Sequence, residues 1–208
     1  MHMGPFLNHQ FFLINLVLTG LLSLMSLWIY FKTWGLQTLT GHKGIKYFRL
    51  TFLFLGIAYA TRLLLRLLII TSGWRGAVTM ALVGYFSTMA FFYMLYSTLW
   101  KRTSSKLIMH FANLFAIGLA IGAAILRSPS LLSVIQLALI LSALVIGGYK
   151  KKFSKIRVIY LLLLVLWALN LSQIGYKRFL PVQINIVFHA MSVVVLFFVY
   201  YRVSKWTK

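Results

Sequence analysis

The sequence lacks acidic residues and cysteine altogether. Among its 208 residues there is no Asp, no Glu and no Cys. Without cysteine the chain has no disulfide, no thiolate metal ligand and no thiol nucleophile. Without a side-chain carboxylate it has no acidic general base, no hard-metal ligand of the usual kind and no acid to orient a histidine in a catalytic triad. We therefore predict a protein that is not an enzyme and that has neither a metal site nor a cofactor.

Charged residues of any kind are scarce, and apolar residues dominate. Only 10% of the residues are charged and 62% are hydrophobic. In an ordinary soluble domain about 25% of the residues are charged and roughly 45 to 50% are apolar. The apolar residues form long runs between short basic segments, and about 18 such residues suffice to cross the hydrocarbon core. The runs are continuously apolar, unlike the alternating strands of membrane barrels. This composition excludes a soluble fold and predicts an all-α polytopic membrane protein.

The apolar runs predict seven transmembrane helices in one domain covering residues 1–208. Each run has about the length that a tilted span requires. The longest predicted loop is the first, from about Lys32 to Lys46. The predicted helices cover about residues 8–31, 47–71, 76–100, 106–126, 130–149, 157–176 and 181–202.

The distribution of Lys and Arg predicts the orientation, because basic residues in short loops stay on the cytoplasmic side. Most of the 21 basic residues fall in the first, third and fifth predicted loops and in the C-terminal tail, while the alternate loops hold only Arg75, Arg127, Lys177 and Arg178. We predict a multi-pass protein of the cell membrane with its N-terminus outside and its C-terminus inside. The basic loops then face anionic lipid headgroups, which are predicted partners, and nucleic acid is not predicted as one.

Two arginines within the second predicted helix are the main functional signal. Arg62 and Arg66 are four residues apart and share a helix face. Charges inside the membrane are costly and usually face the bundle interior or water, although long side chains also reach the headgroups from within a span. Under the predicted topology other polar residues lie in the outer half or near the middle, at a similar height: Asn15, Asn170, Gln173, Asn185 and His189.

These residues predict a pocket. In a simple ring of seven antiparallel helices, the first, second, sixth and seventh helices can be neighbours. We therefore predict an outward-facing cationic pocket that binds an anionic small molecule or a lipid headgroup, in a receptor-like or binding protein. The alternative is a purely structural role, in which the amides and the histidine only form hydrogen bonds between helices.

Two other functions stay open. In the first, the chain is an accessory subunit whose arginines pair with acids of another membrane protein, because a buried arginine needs a partner. In the second, it is an anion channel or transporter, which needs a polar path that the inner half hardly supplies, with His110 and Asn113 as its main candidates. Self-association is the remaining prediction, and the Gly118–Gly122 pair has the GxxxG spacing of closely packed helices.

The stretch His42–Leu65, HKGIKYFRLTFLFLGIAYATRLLL, resembles small uncharacterised seven-helix archaeal membrane proteins. This resemblance implies a helical membrane bundle and brings no catalytic residues. The layout of seven helices with the N-terminus outside is also similar to that of seven-helix receptors. The predicted seventh helix has no central lysine for a retinal Schiff base, which argues against a microbial rhodopsin.

Overall fold

The structure, a computed structural model, describes residues 5–68, 75–100, 106–149, 154–174 and 182–205. Within these residues the chain is all-helical, as predicted. Six helices are long and apolar enough to cross a membrane, and the sixth in order has a shorter apolar stretch, Arg157–Asn170. The helices are α1 (Pro5–Thr40), α2 (Lys43–Leu68), α3 (Arg75–Leu99), α4 (Lys106–Ile125), α5 (Pro129–Tyr149), α6 (Ser154–Ile174) and α7 (Val182–Ser204).

The predicted end of the first helix is wrong, because α1 continues to Thr40. Gly41 stops it: its φ is 60°, a left-handed conformation that glycine adopts without strain. Its N–H donates to the carbonyl of Gln37 at 2.9 Å, as at many helix C-termini. The predicted loop from Lys32 to Lys46 is therefore mostly helix, and its basic and aromatic residues, which are typical of a membrane boundary, do not end the helix.

The helices form a ring of six with one helix outside. Helices that follow each other in the chain pack together, and their short connections make neighbours antiparallel. In addition, α7 packs on α1 and α3 packs on α5. The main buried cluster draws its described side chains from every helix except α4. The predicted simple ring of seven is therefore wrong: α4 lies against α3 and α5, outside the ring of α1, α2, α3, α5, α6 and α7.

Apolar side chains cover the outside of the bundle as well as its core. Phe52 and Met94 are fully buried in the core, whereas Trp28, Phe115 and Phe198 on the outer faces are each more than half exposed. Helices that are apolar all round are typical of the membrane interior. The outer surface is therefore suited to contact with lipid acyl chains.

Two glycines permit the closest contacts between helices. A β-carbon at Gly56 would lie 2.8 Å from Leu27 Cδ2, so α1 and α2 cross tightly there. Ser23 Oγ donates to the Gly56 carbonyl at 3.0 Å across the same contact. Likewise, a β-carbon at Gly84 would lie 2.9 Å from Leu132 Cδ1, where α3 meets α5.

The GxxxG spacing of Gly118 and Gly122 makes no close helix contact in the described part of the chain. A β-carbon at either position would meet no atom within 4 Å. Both residues lie on α4, the helix outside the ring. Their spacing therefore does not contribute to packing within this bundle.

Candidate functional site

A cavity of about 50 Å³ lies between α2, α3, α5 and α6. A cavity needs roughly 10 to 15 Å³ of such space to hold one water molecule, so this one holds a few water-sized groups. Its walls are mostly apolar, with a small set of polar side chains. That polar set comprises Tyr59, Arg62, Ser87, Gln136, Trp167 and Asn170.

Arg62 brings a positive charge to this cavity. The side chains of Leu55, Ala58, Tyr59 and Arg62 line it together, because residues three and four apart share one face of a helix. Arg62 is only 8% exposed, and its guanidinium stays charged at any physiological pH. Since the chain has no Asp or Glu, no side-chain carboxylate of its own neutralises this charge.

Gln136, on one wall of the cavity, forms hydrogen bonds to the walls on either side. It is 2% exposed, and its Nε2 donates to Ser87 Oγ at 2.9 Å and to Thr88 Oγ1 at 3.2 Å. Its Oε1 accepts a bond from Trp167 Nε1 at 3.3 Å. One amide on α5 thus connects α3 with α6. These bonds hold the two walls at a fixed separation.

Asn170 and Tyr59 add neutral hydrogen-bonding groups beside the arginine. Asn170 Nδ2 donates to the carbonyl of Leu166 at 2.7 Å. Its Oδ1 is buried and accepts no hydrogen bond from the described residues. The buried Tyr59 hydroxyl lies next to Asn170 and within electrostatic range of Arg62. The cavity therefore offers a cation, a hydroxyl and an acceptor oxygen, a set that suits a small oxyanion bearing a proton or hydroxyl group.

Two of the predicted pocket residues, Arg66 and Asn15, have partners on α1 instead. Arg66 Nη1 donates to Thr19 Oγ1 at 3.2 Å, and Thr19 Oγ1 donates to the carbonyl of Asn15 at 2.7 Å. The Asn15 side chain donates to the carbonyl of Phe11 at 3.0 Å on its own helix. Neither Arg66 nor Asn15 lines the cavity.

The predicted residues of α7 are also outside the cavity lining. His189 is buried, with 1% exposure, and Asn185 is half-buried one turn earlier. The side chain of Gln173 lies outside the described residues. Of the predicted set, the structure thus brings together Arg62 and Asn170 in one cavity, and their role in binding stays a prediction.

Sequence reasoning missed Gln136, Tyr59 and Trp167. A signal for Gln136 was available, because it is the only side-chain amide in the apolar run 129–149, and polar residues within spans often mark functional sites. Tyr59 precedes Arg62 by three residues and so shares its face. Trp167 gave no such signal, because tryptophan is common in membrane helices without any polar role.

Comparison with known proteins identifies a similar protein but assigns no function. An uncharacterised protein of Archaeoglobus fulgidus is 29% identical over 217 residues, covering 94% of this chain and 93% of that protein. No family model matches the chain, and no solved structure matches it. The resemblance predicted from His42–Leu65 is thus confirmed and extends over almost the whole sequence. The chain is similar along nearly its full length to an uncharacterised archaeal protein.

Proposed function

We propose that this protein is a receptor-like membrane binding protein, not an enzyme, whose cavity at Arg62 binds an anionic small molecule or the phosphate of a lipid headgroup. In this proposal seven helices span the cell membrane, with the N-terminus outside and the C-terminus inside. The observation that carries it is a buried guanidinium lining a cavity, in a chain without any Asp or Glu.

The physical case rests on the free energy of a buried charge. Moving a charged group out of water costs several kcal/mol unless a counter-charge and hydrogen bonds compensate. An anion in the cavity supplies the counter-charge that the chain's own side chains lack, and its oxygens accept charge-assisted hydrogen bonds from Arg62. The planar guanidinium matches two oxygens of a phosphate or carboxylate at once. The ligand class that fits best is therefore a small oxyanion.

The depth of the cavity supports access from the outer face. Arg62 lies about 9 Å along the helix axis from the end of α2 at Leu68, and Gln136 about 10 Å from the start of α5 at Pro129. Under the predicted orientation both helix ends lie on the outer side. On the other side of the cavity, Phe52, Met94 and Ile140 are fully buried in the apolar core. This apolar layer favours binding over conduction of an anion.

The position of Arg62 also favours binding over the accessory-subunit alternative. A partner's carboxylate would have to reach Arg62 between α2, α3, α5 and α6, inside this chain's own bundle. A soluble anion needs no such penetration by a second protein. Arg66, half-buried and bonded to Thr19, is the arginine through which a partner would more easily pair.

The test is thermal unfolding of the purified protein in detergent with increasing phosphate, sulfate or acetate, at constant ionic strength set with chloride. A ligand that binds only the folded state raises the unfolding temperature with concentration. We expect such a rise in the parent. Arg62→Gln should lower the apparent affinity about tenfold or more, because a hydrogen bond to a charged group contributes about 1.5 to 3 kcal/mol.

Arg66→Gln is the matched control, because it makes the same change one helical turn away and outside the cavity. It should retain most of the affinity, and Arg62→Lys should retain part of it. A water-soluble short-chain phosphatidic acid, titrated in parallel, separates a lipid phosphate from a free oxyanion. No stabilisation of the parent by any of these compounds would refute the proposal, as would equal losses in the two glutamine variants.

A further inference from the structure

A second feature lies on the outside of the bundle, in the groove between α1 and α7. Its volume is about 270 Å³, and it is lined by Leu24, Met25, Trp28, Phe197 and Tyr200. None of these residues lines the cavity at Arg62. Leu24, Trp28 and Phe197 are each more than half exposed. The groove is therefore open and apolar, and it lies on the outer surface of the bundle.

The two helices that form the groove run in the same direction. Seven helices packed as consecutive antiparallel pairs place α1 and α7 parallel. Trp28 and Tyr200 line the same groove, so residues just after them in each helix lie at a similar depth. The C-terminal end of the groove is thus bounded by the residues that follow Trp28 on α1 and Tyr200 on α7.

Two exposed cations lie at that end. Lys32 follows Trp28 by one helical turn, so it lies on the groove side of α1. Tyr201 follows Phe197 by one turn in the same way, and Lys205 Nζ lies 4.7 Å from the centre of the Tyr201 ring. Since the chain has no acidic residue, these two cations have no countercharge from a side-chain carboxylate. We name Lys32 and Lys205 the α1/α7 basic cluster.

We propose that the groove and the α1/α7 basic cluster together bind one anionic phospholipid. An acyl chain packs against Trp28 and Phe197, and the headgroup phosphate lies at Lys32 and Lys205. Basic residues near a membrane surface attract anionic lipid with about 1 kcal/mol each, and tryptophan and tyrosine prefer the level of the headgroups. This site is separate from the Arg62 cavity and does not depend on the function proposed for it.

Charge favours a lipid over a second copy of the chain in this groove. In a symmetric dimer the same surface of both copies meets. With both copies in the same orientation in the membrane, two α1/α7 basic clusters would then face each other at one depth. Like charges opposed across an interface disfavour that partner. An anionic headgroup instead supplies the countercharge.

The test is photo-crosslinking in lipid nanodiscs with phosphatidylglycerol that carries a diazirine within its acyl chain. Peptide mass spectrometry then locates the labelled residues. We expect labelling of the α1 and α7 residues that line the groove, and much weaker labelling there by the phosphatidylcholine analogue. Lys32→Gln with Lys205→Gln should reduce labelling by phosphatidylglycerol about tenfold or more, on the scale of two lost surface charges.

Lys43→Gln with Lys46→Gln is the matched control, because it removes the same charge from exposed positions at the start of α2. This variant should label like the parent, and the unfolding temperature of each double variant shows whether it is folded. Equal labelling by the two lipids, or no loss in the Lys32 and Lys205 variant, would overturn the proposal. A crosslink between two copies through the groove would overturn it in favour of self-association.

Discussion

Arg62 and Arg66 are one helical turn apart, yet the structure gives them different surroundings. Arg62 lines a cavity between four helices, and Arg66 donates to Thr19 on α1. A separation of four residues leaves about 40° between two side chains on a helix of 3.6 residues per turn. The length of arginine then lets the two guanidinium groups reach opposite neighbours of α2. The separation of four residues therefore predicts that the two arginines share a helix face, but it does not predict which groups each arginine contacts.

At Arg62 we predict that removing the charge does not destabilise the anion-free protein. Burying a charge carries a desolvation cost of several kcal/mol, and this chain has no side-chain carboxylate to compensate it at Arg62. In anion-free detergent, Arg62→Gln should unfold at the same temperature as the parent or at a higher one. In saturating phosphate the order should reverse. A lower unfolding temperature without anion would instead assign Arg62 a structural role.

At Gln136 we predict a loss of stability. Gln136→Leu removes three hydrogen bonds between helices, and bonds of this kind in membrane bundles contribute about 0.6 kcal/mol each. The expected loss is therefore about 2 kcal/mol, measured by denaturant titration in detergent. Gln183→Leu makes the same change at an exposed position of α7 and should be nearly neutral. Equal effects of the two changes would contradict the bridging role of Gln136.

The residues of the cavity were only partly predictable from the sequence. Arg62 and Asn170 are polar groups in apolar runs, so their cost inside the membrane identifies them. His189 gave the same signal and lies elsewhere, because the sequence does not encode which way each helix rotates about its axis. Tyr59 and Trp167 became part of the site only through packing.

At the scale of helices, the sequence predicted the presence of each helix well and the packing of the helices against one another less well. Continuous apolar runs predict all seven helices, since a backbone inside a bilayer must satisfy its hydrogen bonds internally and a helix does so. The end of α1 was misplaced because Lys32 and Trp34 are residue types typical of a membrane boundary, while Gly41 is what stops the helix. That α4 leaves the ring was not predictable, because most of its run is apolar and the positions of His110 and Asn113 do not distinguish lipid from protein contacts.

The tight contact between α1 and α2 gives a prediction about a single glycine. Gly56→Val places its side chain against Leu27, whose Cγ and Cδ2 both lie 2.8 Å from a β-carbon at that position. Overpacking of this kind costs about 1 to 3 kcal/mol, visible as a lower unfolding temperature. Gly118→Val adds the same atoms where no neighbour lies within 4 Å, so it should change stability little. A larger loss at Gly118 would show that α4 has an unrecognised contact.

For the molecule as a whole, an odd or an even number of spans decides whether the two termini lie on opposite sides of the membrane or on the same side. Among the described residues, six helices meet the length and hydropathy needed to cross a membrane, and α6 has the shorter apolar stretch Arg157–Asn170. Seven spans place the termini on opposite sides, and six place them on the same side. The packing of α6 against both α5 and α7 is consistent with α6 as a full span.

Single cysteines measure this parity without background, because the chain has no cysteine of its own. In intact cells an impermeant thiol reagent should modify a cysteine introduced at Met3 and leave those at Thr40 and Lys208 unmodified. All three should react after lysis. Labelling of Lys208→Cys together with Met3→Cys in intact cells would mean an even number of spans, and labelling of Thr40→Cys from outside would reverse the orientation.

The binding of an anion at Arg62 is tested most directly by an experimental structure of the protein in arsenate, with anomalous scattering used to locate arsenic. Arsenate is a tetrahedral oxyanion close to phosphate in size and charge, and like phosphate it carries a proton at neutral pH. We predict an anomalous peak within hydrogen-bonding distance of the Arg62 guanidinium, inside the cavity bounded by Gln136 and Asn170, and its loss in Arg62→Gln. A peak confined to the exposed basic residues, with the Arg62 guanidinium contacting only groups of its own chain, would contradict the proposed function.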